Sequence, residues 1–135
     1  MEIIKNRHAT YILHCHLVFI TKYRYKVLKH EHIEYLKNVF KDTMEDMGGT
    51  LDECDGESDH IHLLITYPPK HSIAKIVNNL KGRSSRLLRR DMPDIKERYY
   101  KNAGLWHRSY FAGSVGGAPL EIVKRYISEC QEHPS

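Results

Sequence analysis

With 135 residues, 41% hydrophobic and 28% charged, the chain has the balance of one globular domain spanning 1–135 and is too short for two independent cores. Its formal charge of +4 is compatible with a nucleic-acid partner without demanding one, and Cys15, Cys54 and Cys130 form no CxxC, which argues against a disulfide framework or a structural zinc site. The longest apolar runs, residues 17–20 and 63–65, fall far below the roughly 20 residues of a membrane span, and the N-terminus has no signal-peptide core, so a cytoplasmic protein without membrane contact is expected.

Residues 10–20 are rich in Tyr, Ile, Val and Phe, which predicts a first strand. The basic aromatic segment Lys22-Tyr23-Arg24-Tyr25-Lys26 follows it. From 30 to 47, Ile33, Leu36, Val39, Phe40, Met44 and Met47 recur at helical spacing, and Gly48-Gly49 makes a stop. Residues 50–54 predict a second strand, Asp55-Gly56 a turn, and residues 59–65 a third strand that completes a hairpin. Pro68-Pro69 ends it. A second helix is predicted over 72–90, with an apolar stripe of Ile73, Ile76, Val77, Leu80, Leu87 and Leu88. After an irregular stretch containing Trp106, residues 110–115 read as a last strand. Gly116-Gly117-Ala118-Pro119 then puts Pro119 in the first turn of a final helix, where its missing N–H does no harm. The order is βαββαβ plus a C-terminal helix. It predicts an α+β fold, a ferredoxin-like antiparallel sheet with helices packed on one face.

Asp59-His60-Ile61-His62 is the segment richest in chemistry. Side chains two apart on a strand share a face, so both imidazoles point the same way while Ile61 anchors the other side. Such a pair can hold one metal ion or meet a phosphate, or be a hydrogen-bonded structural pair, since polar rings on a Leu- and Ile-rich strand need partners. Tyr126 sits within the amphipathic pattern of the final helix. It is either a packing residue or a nucleophile. Its hydroxyl, with a pKa near 10, attacks poorly at neutral pH unless a cation polarises the phosphate it meets. His14-Cys15-His16 has the same spacing as the His60 pair, but as the first and third strands of this fold are neighbours, a structural or supporting role beside His60 and His62 is expected. His30, His32, His71, His107 and His133 have no ligand spacing and are expected at the surface.

Lys22, Tyr23 and Arg24, with Tyr25 and Lys26, interleave cations and rings as single-stranded nucleic acid requires. Lys81 and the ridge Arg83, Arg86 and Arg90, at i, i+3 and i+7, could track a phosphate backbone, or form an exposed basic helix face.

Several segments together resemble one family. They are Tyr11-Ile12-Leu13-His14-Cys15-His16-Leu17-Val18-Phe19 running into Thr21-Lys22-Tyr23-Arg24, Asp59-His60-Ile61-His62, Leu80-Lys81-Gly82-Arg83-Ser84-Ser85, Leu105-Trp106, Val115-Gly116-Gly117-Ala118-Pro119 and Val123-Lys124-Arg125-Tyr126-Ile127. In order, and over nearly the whole chain, they resemble the single-tyrosine HUH transposases called TnpA, which mobilise insertion sequences as single-stranded DNA. The resemblance implies that His60 and His62 bind Mg²⁺ or Mn²⁺ and that Tyr126 forms a 5′-phosphotyrosine link, releasing a 3′-hydroxyl. It also implies a homodimer acting on hairpin-bearing element ends.

One position departs from the family. A glutamine usually stands four residues after the tyrosine as a third metal ligand, but here that position is Cys130 and the glutamine is Gln131. Four residues advance about 400° around a helix and five about 500°, so Gln131 is out of register, while a thiol suits Mg²⁺ poorly. The expected third ligand is Gln131, swung in by a loosened last turn, with Glu129 the second candidate.

Other classes fit less well. Histidine-triad hydrolases need a third histidine where this chain has Leu64, and RNA-recognition domains carry aromatics where it has His60 and His62. A metal-dependent nuclease using water in place of Tyr126 stays open, as does a domesticated relative acting on repeated genomic palindromes.

Overall fold

The computed structural model describes residues 13–99, 104–114 and 120–129, with the side chains of the last segment described from Arg125 onward. Alternation in β1 (Leu13–Ile20) sends Cys15, Leu17 and Phe19 to one face and Val18 and Ile20 to the other, and both sets are buried. That double burial means something must cover each face of the sheet.

Among the described residues the strands form one four-stranded antiparallel sheet in the order β2-β3-β1-β4, from β2 (Thr50–Gly56), β3 (His60–Tyr67) and β4 (Phe111–Ser114). This is the ferredoxin-like arrangement expected from the element order. On one face lie α1 (His30–Asp46) and α2 (Ile73–Asp91). Their buried stripes, Ile33, Leu36, Phe40 and Met44 on α1 and Ile76, Val77, Leu80 and Leu88 on α2, close on Leu17, Phe19, Ile61, Leu63 and Ile65. Phe19 sits at the centre, edge-on to Phe40 with centroids 5.9 Å apart and tilted against Trp106 at 5.7 Å. The other face carries a smaller cluster, in which Val18 and Ile20 meet Phe111 of β4 and Tyr126 and Ile127 of α4 (Leu120–Glu129). The C-terminal helix therefore covers the face that α1 and α2 leave open.

Boundaries moved modestly. The second strand runs on through Gly56 and the third through Tyr67, because the hairpin closes later than Asp55-Gly56 suggested: Glu57 N–H donates to the His60 carbonyl at 2.9 Å. The second helix, expected over 72–90, runs Ile73–Asp91 and is capped by Ser72, whose Oγ accepts from Lys75 N–H at 3.1 Å. Sequence reasoning missed α3 (Pro93–Arg98), although an extended Met92 followed by a proline in the first turn is a helix-start signal.

His32 is a correction. Expected at the surface, it is fully buried: Nδ1 accepts from Lys29 N–H at 2.9 Å, so Nε2 carries the proton and donates to the Asp94 carboxylate at 3.0 Å, tying α1 to α3. Residues 10–12 of the predicted first strand, the turn at 116–119 and His133 lie outside the described residues. Among the described residues no helix is long and apolar enough to cross a membrane.

Candidate catalytic site

The strand register assembles a row of residues on the α4 face. His62 of β3 lies between Asp55 of β2 and Val18 of β1, and Val18 in turn faces Phe111 of β4. His60 stands on the same face opposite Ile20. Tyr126 rests on the far end of that row, its ring 5.7 Å from Phe111 and packed on the Val18–Ile20 cluster. With about 4.8 Å per strand, two strand spacings separate the Phe111 and His62 backbones, so one chain brings the tyrosine helix and both histidines to a single face.

His60 is oriented from below. Its Nδ1 lies 2.9 Å from Asp59 Oδ1, and because a carboxylate can only accept, Nδ1 carries a proton, which in the neutral ring leaves the lone pair on Nε2. This is the arrangement that fixes tautomer and ring direction in metal-binding histidines. Glu57 Oε2, 3.9 Å from Nε2, adds negative potential on the open side. Asp59 is itself buried and held: Arg24 Nε and Nη2 both reach its Oδ2 at 3.4 Å. Nε2 of His60 and the ring of His62 are the two nitrogen donors that this face would offer a divalent cation. Among the described residues no group of three or more His, Cys, Asp or Glu side chains is placed to hold a metal ion, and Cys130 and Gln131 lie outside them. Glu129 closes α4 as an exposed residue.

Arg24 reaches Asp59 because the chain turns sharply after β1. Tyr23 and Arg24 adopt left-handed backbone conformations, φ 64° and 54°. Side chains rarely accept these, at a cost of about 1–3 kcal/mol each. The surroundings hold the turn by Lys22 N–H to the Leu105 carbonyl at 2.8 Å, Thr21 Oγ1 to the Tyr25 carbonyl at 2.7 Å and Tyr99 Oη to the Lys22 carbonyl at 2.8 Å. Arg24, expected on DNA, is thus engaged beneath the histidine pair. Tyr23 and Tyr25 pack with centroids 5.2 Å apart, with Lys22 Nζ 5.9 Å from the Tyr23 centroid and the Arg98 guanidinium 4.0 Å from that of Tyr25.

His14 and His16 line the same face as His60 and His62, one strand over, as expected. His14 Nδ1 lies 3.0 Å from Thr66 Oγ1, whose proton goes to the Asp52 carboxylate. A bulge between Leu51 and Glu53 aims Asp52 there. Cys15 points into the opposite core, where burial pushes its thiol pKa up.

The basic residues of α2 divide. Lys81 Nζ donates to the carbonyls of His107 at 2.7 Å and Ser109 at 2.9 Å, so it holds the loop before β4. Ser85 Oγ accepts from Leu105 N–H at 3.0 Å, and the buried Ser84 Oγ from Trp106 Nε1 at 2.9 Å. Together Lys81, Ser84 and Ser85 fasten residues 105–109 to the helix layer. Arg83 bridges to Asp46 of α1 at 2.7 Å and Arg90 to its neighbour Asp91 at 2.7 Å. Arg86 lines an exposed groove with Gly82, Ser85, Arg89, Arg90 and Lys96. This groove lies in the helix layer, on the other side of the sheet from His60 and His62. Ser84→Ala is expected to cost about 1–3 kcal/mol of stability, because it strands the Trp106 indole N–H in the core. Denaturant unfolding measures this, and a wild-type midpoint would mean that the indole finds another acceptor.

One sheet with a histidine pair and a tyrosine helix on its α4 face defines a class of protein, and comparison with known proteins identifies the family. The sequence model described as "Transposase IS200 like" matches residues 9–130. The ISDra2 transposase TnpA of Deinococcus radiodurans is 32% identical over 127 residues, covering 94% of this chain and 90% of its own length. The transposase for insertion sequence element IS200 of Salmonella typhimurium is 31% identical over 117 residues, covering 84% of this chain and 76% of its own. The crystal structure of a candidate transposase from Deinococcus radiodurans matches with a TM-score of 0.85 at 31% identity, over 98% of this chain and 99% of that one. A REP-associated tyrosine transposase bound to a REP hairpin shares the fold, with a TM-score of 0.55 at 10% identity over 91% of this chain and 68% of its own. The chain belongs to the IS200-like transposase family.

Proposed function

We propose that the chain cleaves and rejoins single-stranded DNA at insertion-sequence ends, with Tyr126 as nucleophile and His60 and His62 as ligands of Mg²⁺ or Mn²⁺. The observation that carries this reading is the presence of Tyr126 on the same sheet face as the two histidines. When bound, the cation would polarise the scissile phosphate. Asp59, backed by Arg24, accepts from His60 Nδ1–H and so orients the ring, leaving Nε2 as the nitrogen with the lone pair in the neutral imidazole. Tyr126 Oη attacks phosphorus, the bond to the 3′-oxygen breaks, and a 5′-phosphotyrosine link and a 3′-hydroxyl result. One phosphodiester replaces another, so the link keeps the energy needed for rejoining without ATP.

Tyr23 and Tyr25 with Lys22 offer stacking rings beside a cation, and the groove around Arg86, Arg89 and Lys96 offers positive charge for a DNA backbone. By its family resemblance the working form is a homodimer acting on hairpin-bearing ends; the third ligand, where this chain departs from the family, is Gln131, with Glu129 the second candidate. The deciding experiment incubates the protein and Mg²⁺ with single-stranded DNA from the ends of its own element. A covalent protein–DNA adduct should form in the wild type and vanish in Tyr126→Phe. Cleavage without an adduct would mean that water is the nucleophile.

A further inference from the structure

Tyr126 Oη lies 3.1 Å from Ser109 Oγ, and Ser109 Oγ lies 2.9 Å from His107 Nδ1. The direction of this chain of hydrogen bonds is fixed by a third contact. Ser109 backbone N–H, which can only donate, points at the same Nδ1 at 3.1 Å. His107 Nδ1 is therefore the unprotonated ring nitrogen, the Ser109 hydroxyl donates its one proton to it, and the Tyr126 hydroxyl donates to Ser109. The loop is anchored for this purpose at several points. Lys81 grips the carbonyls of both His107 and Ser109, and His107 N–H donates to the Ile20 carbonyl at 2.7 Å, one strand from His60.

We propose that Ser109 and His107 form a proton relay for Tyr126, an inference that rests on the phosphotyrosine reading above. As Oη bonds to phosphorus, its proton passes to Ser109 Oγ and the Ser109 proton passes to His107 Nδ1. The bond from phosphorus to the 3′-oxygen breaks, and that oxygen takes a proton from water. His107 then returns its proton to solvent, so the net transfer is one proton from Tyr126 to the 3′-hydroxyl. Neutral imidazole, with an ordinary pKa near 6.5, suits the task, whereas the phenol alone, near 10, holds its proton at neutral pH. Ser109 touches the attacking atom, and His107 acts through Ser109 as a positioning residue and proton acceptor.

The test measures single-turnover adduct formation with Mg²⁺ and single-stranded DNA from the element ends, alongside DNA affinity and thermal unfolding. Ser109→Ala and His107→Ala should each slow the adduct by about 100-fold. DNA affinity and folding should stay as in the wild type, and Ser109→Thr, which keeps the hydroxyl, should recover most of the rate. Added imidazole should restore His107→Ala in proportion to its concentration and leave Ser109→Ala slow. Wild-type rates in both alanine variants overturn the relay while leaving Tyr126 as nucleophile. Slow His107→Ala that imidazole does not accelerate overturns proton acceptance by His107. A wild type that forms no adduct overturns the phosphotyrosine reading and the relay with it.

Discussion

Asp59→Ala is expected to weaken Mn²⁺ binding by about 10–100-fold with both imidazoles still in place. The carboxylate is the acceptor for His60 Nδ1–H, and without it the ring can rotate or change tautomer and present a protonated nitrogen to the cation. The same change leaves Arg24 without the carboxylate it reaches through both Nε and Nη2, next to a turn already held in left-handed conformation. Asp59→Asn separates the two contributions, since its amide oxygen still accepts from Nδ1 but carries no charge. The asparagine variant should lie between wild type and alanine, and His60→Ala and His62→Ala, which remove proposed ligands, should lose more than Asp59→Ala. Manganese titration followed by electron paramagnetic resonance reads all four. Wild-type affinity in Asp59→Ala would detach the carboxylate from the function of His60.

The pairing of Asp59 with His60 lies between adjacent residues but was not read from the sequence, where periodicity alone was legible at these positions. The period of two in residues 59–65 placed both histidines on one face, and the helical period around Tyr126 placed its ring on an apolar stripe. The element order gave the sheet, including the contact of the first strand with the third that sets His14 beside Thr66. Less legible were groups whose partners lie far along the chain. Arg24 and Lys81 both stand in basic segments, and nothing local to them shows that one reaches Asp59, 35 residues on, and the other the carbonyl of His107, 26 residues on. Composition carries no record of which cation turns inward. His32 illustrates the same limit: it adjoins Ile33 on the edge of the apolar stripe, and only α3, packed across its end, makes a buried imidazole affordable through Asp94. The position of α4 on the opposite face was invisible for a related reason. The βαββαβ order fixes where α1 and α2 go and leaves an appended helix free to choose, so the double burial of Val18 and Ile20 against Leu17 and Phe19 was the one trace of it.

Two glycines at opposite ends of β2, Gly49 just before it and Gly56 its last residue, face opposite ends of β3 and allow the rigidity of the histidine strand to be separated from the stability of the fold. A methyl group at Gly56 would stand 2.6 Å from the His60 carbonyl oxygen, 3.0 Å from Ile61 Cα and 3.1 Å from Ile33 Cδ1. The carbonyl it strikes accepts from Glu57 N–H and closes the hairpin, so neither side can yield without moving His60. At Gly49 the methyl would press on the Thr66 carbonyl oxygen, with Met44 Cε at 3.1 Å and Tyr67 Cα at 3.2 Å, far along the strand from His60. Gly56→Ala and Gly49→Ala should each cost about 1–3 kcal/mol of stability, since both force backbone apart. Their effects on chemistry should differ. Per folded molecule, Gly56→Ala should slow adduct formation and weaken Mn²⁺ binding, because the His60 backbone shifts relative to Asp59, whereas Gly49→Ala should keep both close to wild type. Adduct rates measured at a temperature where both variants are folded make the comparison. Equal rates would mean that the hairpin absorbs the added methyl without passing the displacement on to His60.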